Sequence, residues 1–341
     1  MGSTLVLVTG AGRSGTSAVA GSLSRLGVHV PGPFLDANPT NPRGFYESRW
    51  SVRFHNRLLE RAHVSLTDAR PEALAAVTAA LRPRQRDRVS EWLARAVEDH
   101  PVALLKDPRA LWTLDLWRSV AASLDVRLVT LTMIRHPAEV LGSRLSHYAG
   151  RDPAIERGAY SIRNTAGWVN TMLVTERQTR GHARSFVRYD DLLGDWRTAL
   201  AQASRDLDLD LLAHAPEGAD GEVDDFLDPD LSRHQLTWGD VAVPTGLREV
   251  AESVWQGLSG LADGREASLD GAGERYEVLY DEARHLVQDV IRAEVARAQQ
   301  AERPSETRST RNLAAPNTPD GTRLRRVLSR LSFRKCSRLH W

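Results

Sequence analysis

Short apolar runs alternate with long stretches of helical periodicity along this chain. Leu5-Val-Leu-Val8, Val102-Ala-Leu-Leu105, Val126–Ile134 and Ser185-Phe-Val187 read as strands, the first as one buried on both faces. Helical spacing follows the first run: Val19, Leu23 and Leu26 share one face of a helix expected over Gly15–Leu26. Further helices are expected over 48–61, 71–81, 84–98, 110–122, from Pro137, and over 155–179, 194–212, 246–262 and 274–301. Two stretches read as loops. Asn38–Ser48 has Asn-Pro and Pro-x-Gly turns, and Pro216–Asp228 is acidic and carries glycines. Strands separated by helices predict an α/β fold: three layers, P-loop-like, with a central parallel sheet flanked by helices. Residues 1–301 are expected to form one domain, with a helical insertion at about 48–100. Residues 302–341 form a polar, basic tail.

The chemistry sits where strands end. After Val8 the chain reads Thr9-Gly10-Ala11-Gly12-Arg13-Ser14-Gly15-Thr16-Ser17. A strand, a glycine turn and a helix N-terminus bring free backbone N–H groups and the positive end of the helix dipole to one point, an anion site. Gly10 and Gly15 have the spacing of a phosphate-binding loop, but Thr16 stands where a nucleotide triphosphatase has lysine. The cation of the loop is Arg13. The second run ends in Lys106-Asp107-Pro108-Arg109, and the third leads into Arg135-His136-Pro137 with Ser143 two helical turns on. Pro137 suits a first helical position. Arg135 offers a bidentate fork to phosphate, which the Ser143 hydroxyl can share.

Composition sharpens this. Of 45 basic residues only Lys106 and Lys335 are lysine. Where arginine is the default, Lys106 marks a place that needs a compact point charge. A net charge of +1 provides no global field for nucleic acid. Cys336 stands alone, so no internal disulfide framework exists. No apolar run approaches a membrane span, and no signal peptide is legible at the start. The expectation is a cytoplasmic enzyme.

Gly-x-x-Arg-Ser-Gly-Thr-Ser after the first strand, Lys-Asp-Pro, Arg-His-Pro with Ser143, and Tyr189-Asp-Asp-Leu192 stand in that order. Together they resemble the P-loop sulfotransferases that use 3′-phosphoadenosine 5′-phosphosulfate (PAPS), in their bacterial and actinobacterial form. Asn-Pro-Arg-Gly-Phe-Tyr-Glu-Ser, residues 41–48, also resembles a segment of that family. The resemblance spans about residues 4–240. It implies PAPS as sulfuryl donor, with Gly12, Arg13, Ser14, Gly15, Thr16 and Ser17 around its 5′ end. Arg135 and Ser143 would hold its 3′-phosphate, and Tyr189 its adenine, unless Tyr189 is a core residue. It implies Glu47 as the base, with Lys106 and Arg13 facing the transferred group. Glu47 could instead only favour the dipole of the next helix, and His55 is the runner-up base. Asp107 reads as a helix N-cap that can also orient Arg109 or Lys106.

The expected reaction moves a sulfuryl group from PAPS to a hydroxyl or amine of a small-molecule, carbohydrate or lipid acceptor, without a metal. The alternatives are a P-loop kinase of a small metabolite and a non-catalytic nucleotide-binding protein of the same fold. The family's adenosine-side Arg-Lys-Gly closure is missing, and Arg233 is a further phosphate-ligand candidate. In the tail, Leu324, Val327, Leu328 and Leu331 are spaced as a basic amphipathic helix that can lie on an anionic membrane. A solvated tail is the other reading.

Overall fold

The structure is a computed structural model. It describes residues 2–38, 41–146, 157–213, 215–227 and 237–301, without the side chains of 294 and 296–301. Arg233 and the whole of 302–341 therefore lie outside the described residues. The chain divides into two units, Met1–Leu286 and Val287–Trp341.

Four strands form the sheet: β1 (Thr4–Gly10), β2 (Val102–Lys106), β3 (Arg127–Ile134) and β4 (Arg184–Arg188). All pair in parallel, in the order β2-β1-β3-β4. Every residue of β1 is buried, as a central parallel strand requires. Its side chains alternate between faces. Val6 and Val8 pack on one side, and Leu5 and Leu7 on the other.

The helices are α1 (Thr16–Arg25), α2 (Arg49–Ala62), α3 (Ala73–Ala80), α4 (Pro83–Val97), α5 (Leu114–Ser123), α6 (Pro137–Arg144), α7 (Arg157–Thr179), α8 (Tyr189–Gly194), α9 (Trp196–Leu207), α10 (Ala219–Phe226), α11 (Thr245–Ala262) and α12 (Asp270–Ala301). A 3-10 turn, Pro108–Thr113, precedes α5. Helices α1, α9 and α10 cover one face of the sheet through Val19, Leu23, Leu200, Leu207 and Val223. Helices α2, α4 and α5 cover the other through Phe54, Val89, Leu93, Trp117 and Val120. This is the three-layer α/β fold expected. Among the described residues no helix is long and apolar enough to cross a membrane.

Residues 216–228 depart from the sequence reading. Most of this acidic stretch is not a loop but α10. Gly218 takes the left-handed conformation (φ 83°) at its N-cap, and Ala219, Val223 and Phe226 are buried. Those three recur at helical spacing. Asp220, Glu222, Asp224 and Asp225 hide that pattern because the helix is amphipathic and short.

The strand order positions the site. The chain leaves β1 toward β2 on one side, then crosses to β3 on the other side of β1. In open α/β sheets such a switch opens a crevice beyond the carboxyl ends of the strands. The register puts Lys106 beside Val8 and Met133 beside Gly10. The loops after β1, β2 and β3 therefore emerge together.

Candidate active site

The loop after β1 needs its glycines. Gly10 has φ 138°, and a Cβ there would lie 2.4 Å from the Met133 carbonyl oxygen. Gly15, the N-cap of α1, has φ 87°, and its Cβ would lie 2.2 Å from the Tyr189 ring. Arg13 also has a positive φ, 77°. Its backbone turn brings Nε within 3.0 Å of Ser143 Oγ, to which it donates. The first and third strand ends are thus tied together across 130 residues of sequence. Ser14 is fully buried, and its Oγ has no hydrogen-bond partner among the described residues.

At the other end of the loop, in the first turn of α1, Thr16 is buried and Ser17 gathers three segments. Its Oγ accepts from Asn41 Nδ2 at 3.2 Å and from Lys106 Nζ at 3.2 Å, and donates to the Phe45 carbonyl at 3.4 Å. Lys106 also donates to Glu47 Oε1 at 2.5 Å, and Arg109 Nη1 donates to Glu47 Oε2 at 3.0 Å. Lys106, Arg109 and Glu47 are all buried. A carboxylate and two cations removed from water hold one another in place, and their separation from solvent strengthens each contact. Glu47 lies just before Ser48, the N-cap of α2.

Behind this cluster is Asp107, wholly buried. Its Oδ1 accepts from the Arg109 amide at 2.9 Å and from Arg109 Nη1 at 2.9 Å; its Oδ2 accepts from Ser51 Oγ at 2.9 Å. Asp107 is thus both the N-cap and the ion-pair partner of Arg109. Burial by itself would raise its pKa. The Arg109 charge and the bonds from His55 and the Arg109 amide outweigh burial and hold the carboxyl well below the usual carboxylate range. Burial likewise works to lower the Arg109 pKa, and Asp107 and Glu47 push it further up instead.

His55, the runner-up base, is fully buried in α2. Its Nδ1 lies 2.8 Å from Asp107 Oδ2, and its Nε2 lies 3.1 Å from both Trp117 Nε1 and Thr113 Oγ1. Both ring nitrogens are engaged, so His55 supports Asp107 and has no path to a substrate.

The third strand end carries the remaining predicted residues. Arg135 is buried, donates from Nε to Glu139 at 2.8 Å and stacks over the Tyr189 ring at 4.9 Å. Its Nη2 is buried without a hydrogen-bond partner among the described residues. Tyr189, at the start of α8, is 8% exposed and lies against Gly15. Burial pushes its hydroxyl pKa up, against the opposing charges of Arg135 and Arg13. One edge of the ring lies against the loop at Gly15.

Sequence reasoning missed three contributors. Arg109 grips Glu47. Asn41 ties the 38–48 loop to Ser17 and to the Gly44 carbonyl at 2.6 Å. Arg144, at the end of α6, donates to the Gly12 carbonyl at 3.2 Å and to Asn164 Oδ1 of α7 at 2.8 Å, tying the loop to both helices. Arg109 had a signal, its place in Lys-Asp-Pro-Arg. Arg144 had none in a chain where arginine is the common cation.

No family model matches the chain, and no curated protein matches it. Similar solved structures include two sulfotransferase domains. One is the sulfotransferase domain of the olefin synthase of Synechococcus PCC 7002: 16% identity, 75% of this chain and 94% of that one covered, TM-score 0.40. The other is the sulfotransferase domain of the curacin biosynthetic pathway: 14% identity, 79% and 99% covered, TM-score 0.39. The functional reading rests on the chain's own residues.

Proposed function

We propose that the protein transfers a sulfuryl group from PAPS to an acceptor hydroxyl or amine. The observation that carries this reading is the pair of clusters at the two ends of one phosphate loop. Lys106 and Glu47 stand at one end, and Arg13, Ser143 and Arg135 at the other. A donor with a 5′-phosphosulfate and a separate 3′-phosphate calls for two such anion subsites.

The residues fit that molecule. Buried donors without protein partners, Arg135 Nη2 and Ser14 Oγ, suit phosphate oxygens. The cradle at Gly10 and Gly15 would be closed by any Cβ. PAPS supplies an activated SO3 group on its 5′-phosphate. The loop N–H groups, Ser17 and Arg13 hold the 5′ end; Arg135 and Ser143 bind the 3′-phosphate. Lys106 has three N–H donors, two engaged with Ser17 and Glu47, and the third serves charge on the transferred group. Glu47 takes the acceptor proton. Each of its oxygens accepts one bond from a cation and keeps a further lone pair. Fixed cations in a dry site carry the electrostatic work, and positioning holds the reactants in line.

The test is isothermal titration of the full chain with 3′-phosphoadenosine 5′-phosphate (PAP), ADP and AMP without magnesium, followed by transfer assays with PAPS. Binding that needs the 3′-phosphate and is lost in Arg135→Ala supports the reading. Preference for ADP or ATP with magnesium would replace it with a kinase, and binding without turnover across an acceptor panel would replace it with a non-catalytic nucleotide-binding protein.

A further inference from the structure

A second cationic site lies away from the sheet edge, between α2 and α4. A cavity of about 220 Å³ is lined by Arg57 and Arg61 of α2, Arg84 and Arg88 of α4, Gln85, and an apolar floor of Phe54 and Leu58. The floor side chains are buried at 2% and 1% exposure. The first of these arginines stands eight residues into α2 from Arg49, about 12 Å of helix beyond the Glu47 end.

Four arginines line this cavity, Arg61 half-buried and Arg57, Arg84 and Arg88 exposed. Among the described residues none of the four lies within 4.0 Å of a carboxylate, although Glu60, Asp87 and Glu91 are close in sequence. Arg61 Nη1 is buried and has no hydrogen-bond partner among the described residues. Gln85 is buried; its Oε1 accepts from the Arg82 amide at 2.9 Å, and its Nε2 donates to no described group. Arg88 is held over the rings of Trp50 at 5.9 Å and Phe54 at 5.8 Å, which fixes the direction of its fork.

Such an arrangement is unfavourable by itself. Arg57 and Arg61 are four residues apart on one helix, as are Arg84 and Arg88 on the other, and like charges at that spacing repel. A buried donor without a partner adds to the cost. An anion would relieve both. Arginine forks match the oxygens of phosphate and sulfate in pairs. The volume equals roughly seven waters at about 30 Å³ each, which suits a diphosphate group and is too small for a whole nucleotide.

We infer that this cavity is a binding site for a diphosphate group, held by Arg57, Arg61, Arg84, Arg88 and the Gln85 amide. The group comes either as inorganic pyrophosphate or as the end of a small diphosphate ester whose remainder stays in solvent. The site is independent of the transfer reaction proposed above.

The experiment is isothermal titration of the full chain, and of Arg61→Gln/Arg88→Gln, with inorganic pyrophosphate and with methyl diphosphate. The phosphate loop also attracts such anions, so the readout is the number of sites. The double variant should bind one fewer pyrophosphate than the parent, or bind at this site about tenfold or more weaker. Tighter binding of methyl diphosphate identifies an ester as the ligand; tighter binding of pyrophosphate identifies the free ion. Thermal melting keeps the test clean. The double variant should melt close to the parent without ligand, since relief of like-charge repulsion and loss of the Arg88 ring contacts oppose each other. It should also lose part of the parent's pyrophosphate-induced rise in Tm. An unchanged site count and affinity in the double variant would overturn the inference. So would binding of anionic phospholipid vesicles that depends on Arg61 and Arg88 without any pyrophosphate binding there, because the surface would then be a membrane contact.

Discussion

Replacing Asp107 by Asn removes one negative charge and almost no volume from a fully buried polar cluster. The hydrogen-bond directions decide the outcome. Trp117 Nε1 can only donate, so His55 Nε2 accepts, and the ring proton sits on Nδ1, facing Asp107 Oδ2. An Asn amide in the same pose turns an NH2 group toward that N–H. Flipping the amide restores the His55 bond but aims the NH2 at the Arg109 amide and guanidinium. Moving the His55 proton to Nε2 sets it against Trp117. Each arrangement leaves a buried donor facing a donor, and Arg109 loses one of its two carboxylate partners. Breaking a buried ion pair by removing one partner costs about 3–5 kcal/mol. At roughly 2 °C per kcal/mol for a chain this long, the melting temperature should fall by about 6–10 °C.

Acid adds a second signature. The folded pKa of Asp107 is depressed, so its stabilisation is complete above the unfolded carboxyl's titration near about 3.9. It is lost as pH falls below that value toward the depressed folded one. Urea titrations followed by tryptophan fluorescence between neutral pH and pH 3 measure both effects. The parent should lose stability more steeply with acid than Asp107→Asn. A neutral-pH loss under about 1 kcal/mol, well short of the buried-pair cost, with parallel acid profiles, would refute the assigned tautomer and the role of the pair.

Other perturbations follow from the same geometry. Gly15→Ala places a Cβ in the Tyr189 ring at a left-handed φ, which costs at least about 1–2 kcal/mol in backbone strain alone; it should lower Tm and weaken PAP binding. Lys106→Ala should slow transfer by about 10²–10³ while PAP still binds through the Arg135 subsite, and single-turnover assays with PAPS separate the two effects. Glu47→Gln should abolish turnover and keep PAP affinity; activity within about twofold of the parent would remove Glu47 as the base, given the size of general-base effects.

The apolar runs were enough to read four strands, their alternation with helices and the loop of residues 38–48. Local physics wrote those features: glycines where backbones approach closely, and period-2 and period-3.6 patterns elsewhere. Because parallel strands end on one edge, the residues just after β1, β2 and β3 could be placed together before any coordinates. That edge, together with the family resemblance of the motifs on it, made Arg13, Lys106, Arg135 and Ser143 candidates. Helix α10 escaped notice because eight residues with four carboxylates look like solvent-exposed loop. Only its burial against α1 reveals the Ala219, Val223 and Phe226 stripe.

Tertiary structure alone decided how those residues meet. Glu47 bridges Lys106 and Arg109 across about sixty residues of sequence, and nothing in the local spacing of either segment specifies that contact. His55, a candidate base by residue type, is made structural by Asp107, Thr113 and Trp117 closing around its ring. The arginines of α2 and α4 are unremarkable as sequence, since each lies on a polar helix face. They line one cavity only because Trp50 of α2 stacks on Trp92 of α4 and holds the two helices together. Sequence patterns carry the short-range terms of the energy, which repeat along the chain. Side-chain contacts between distant segments depend on the packed geometry of the whole, and that geometry is settled only when the layers close.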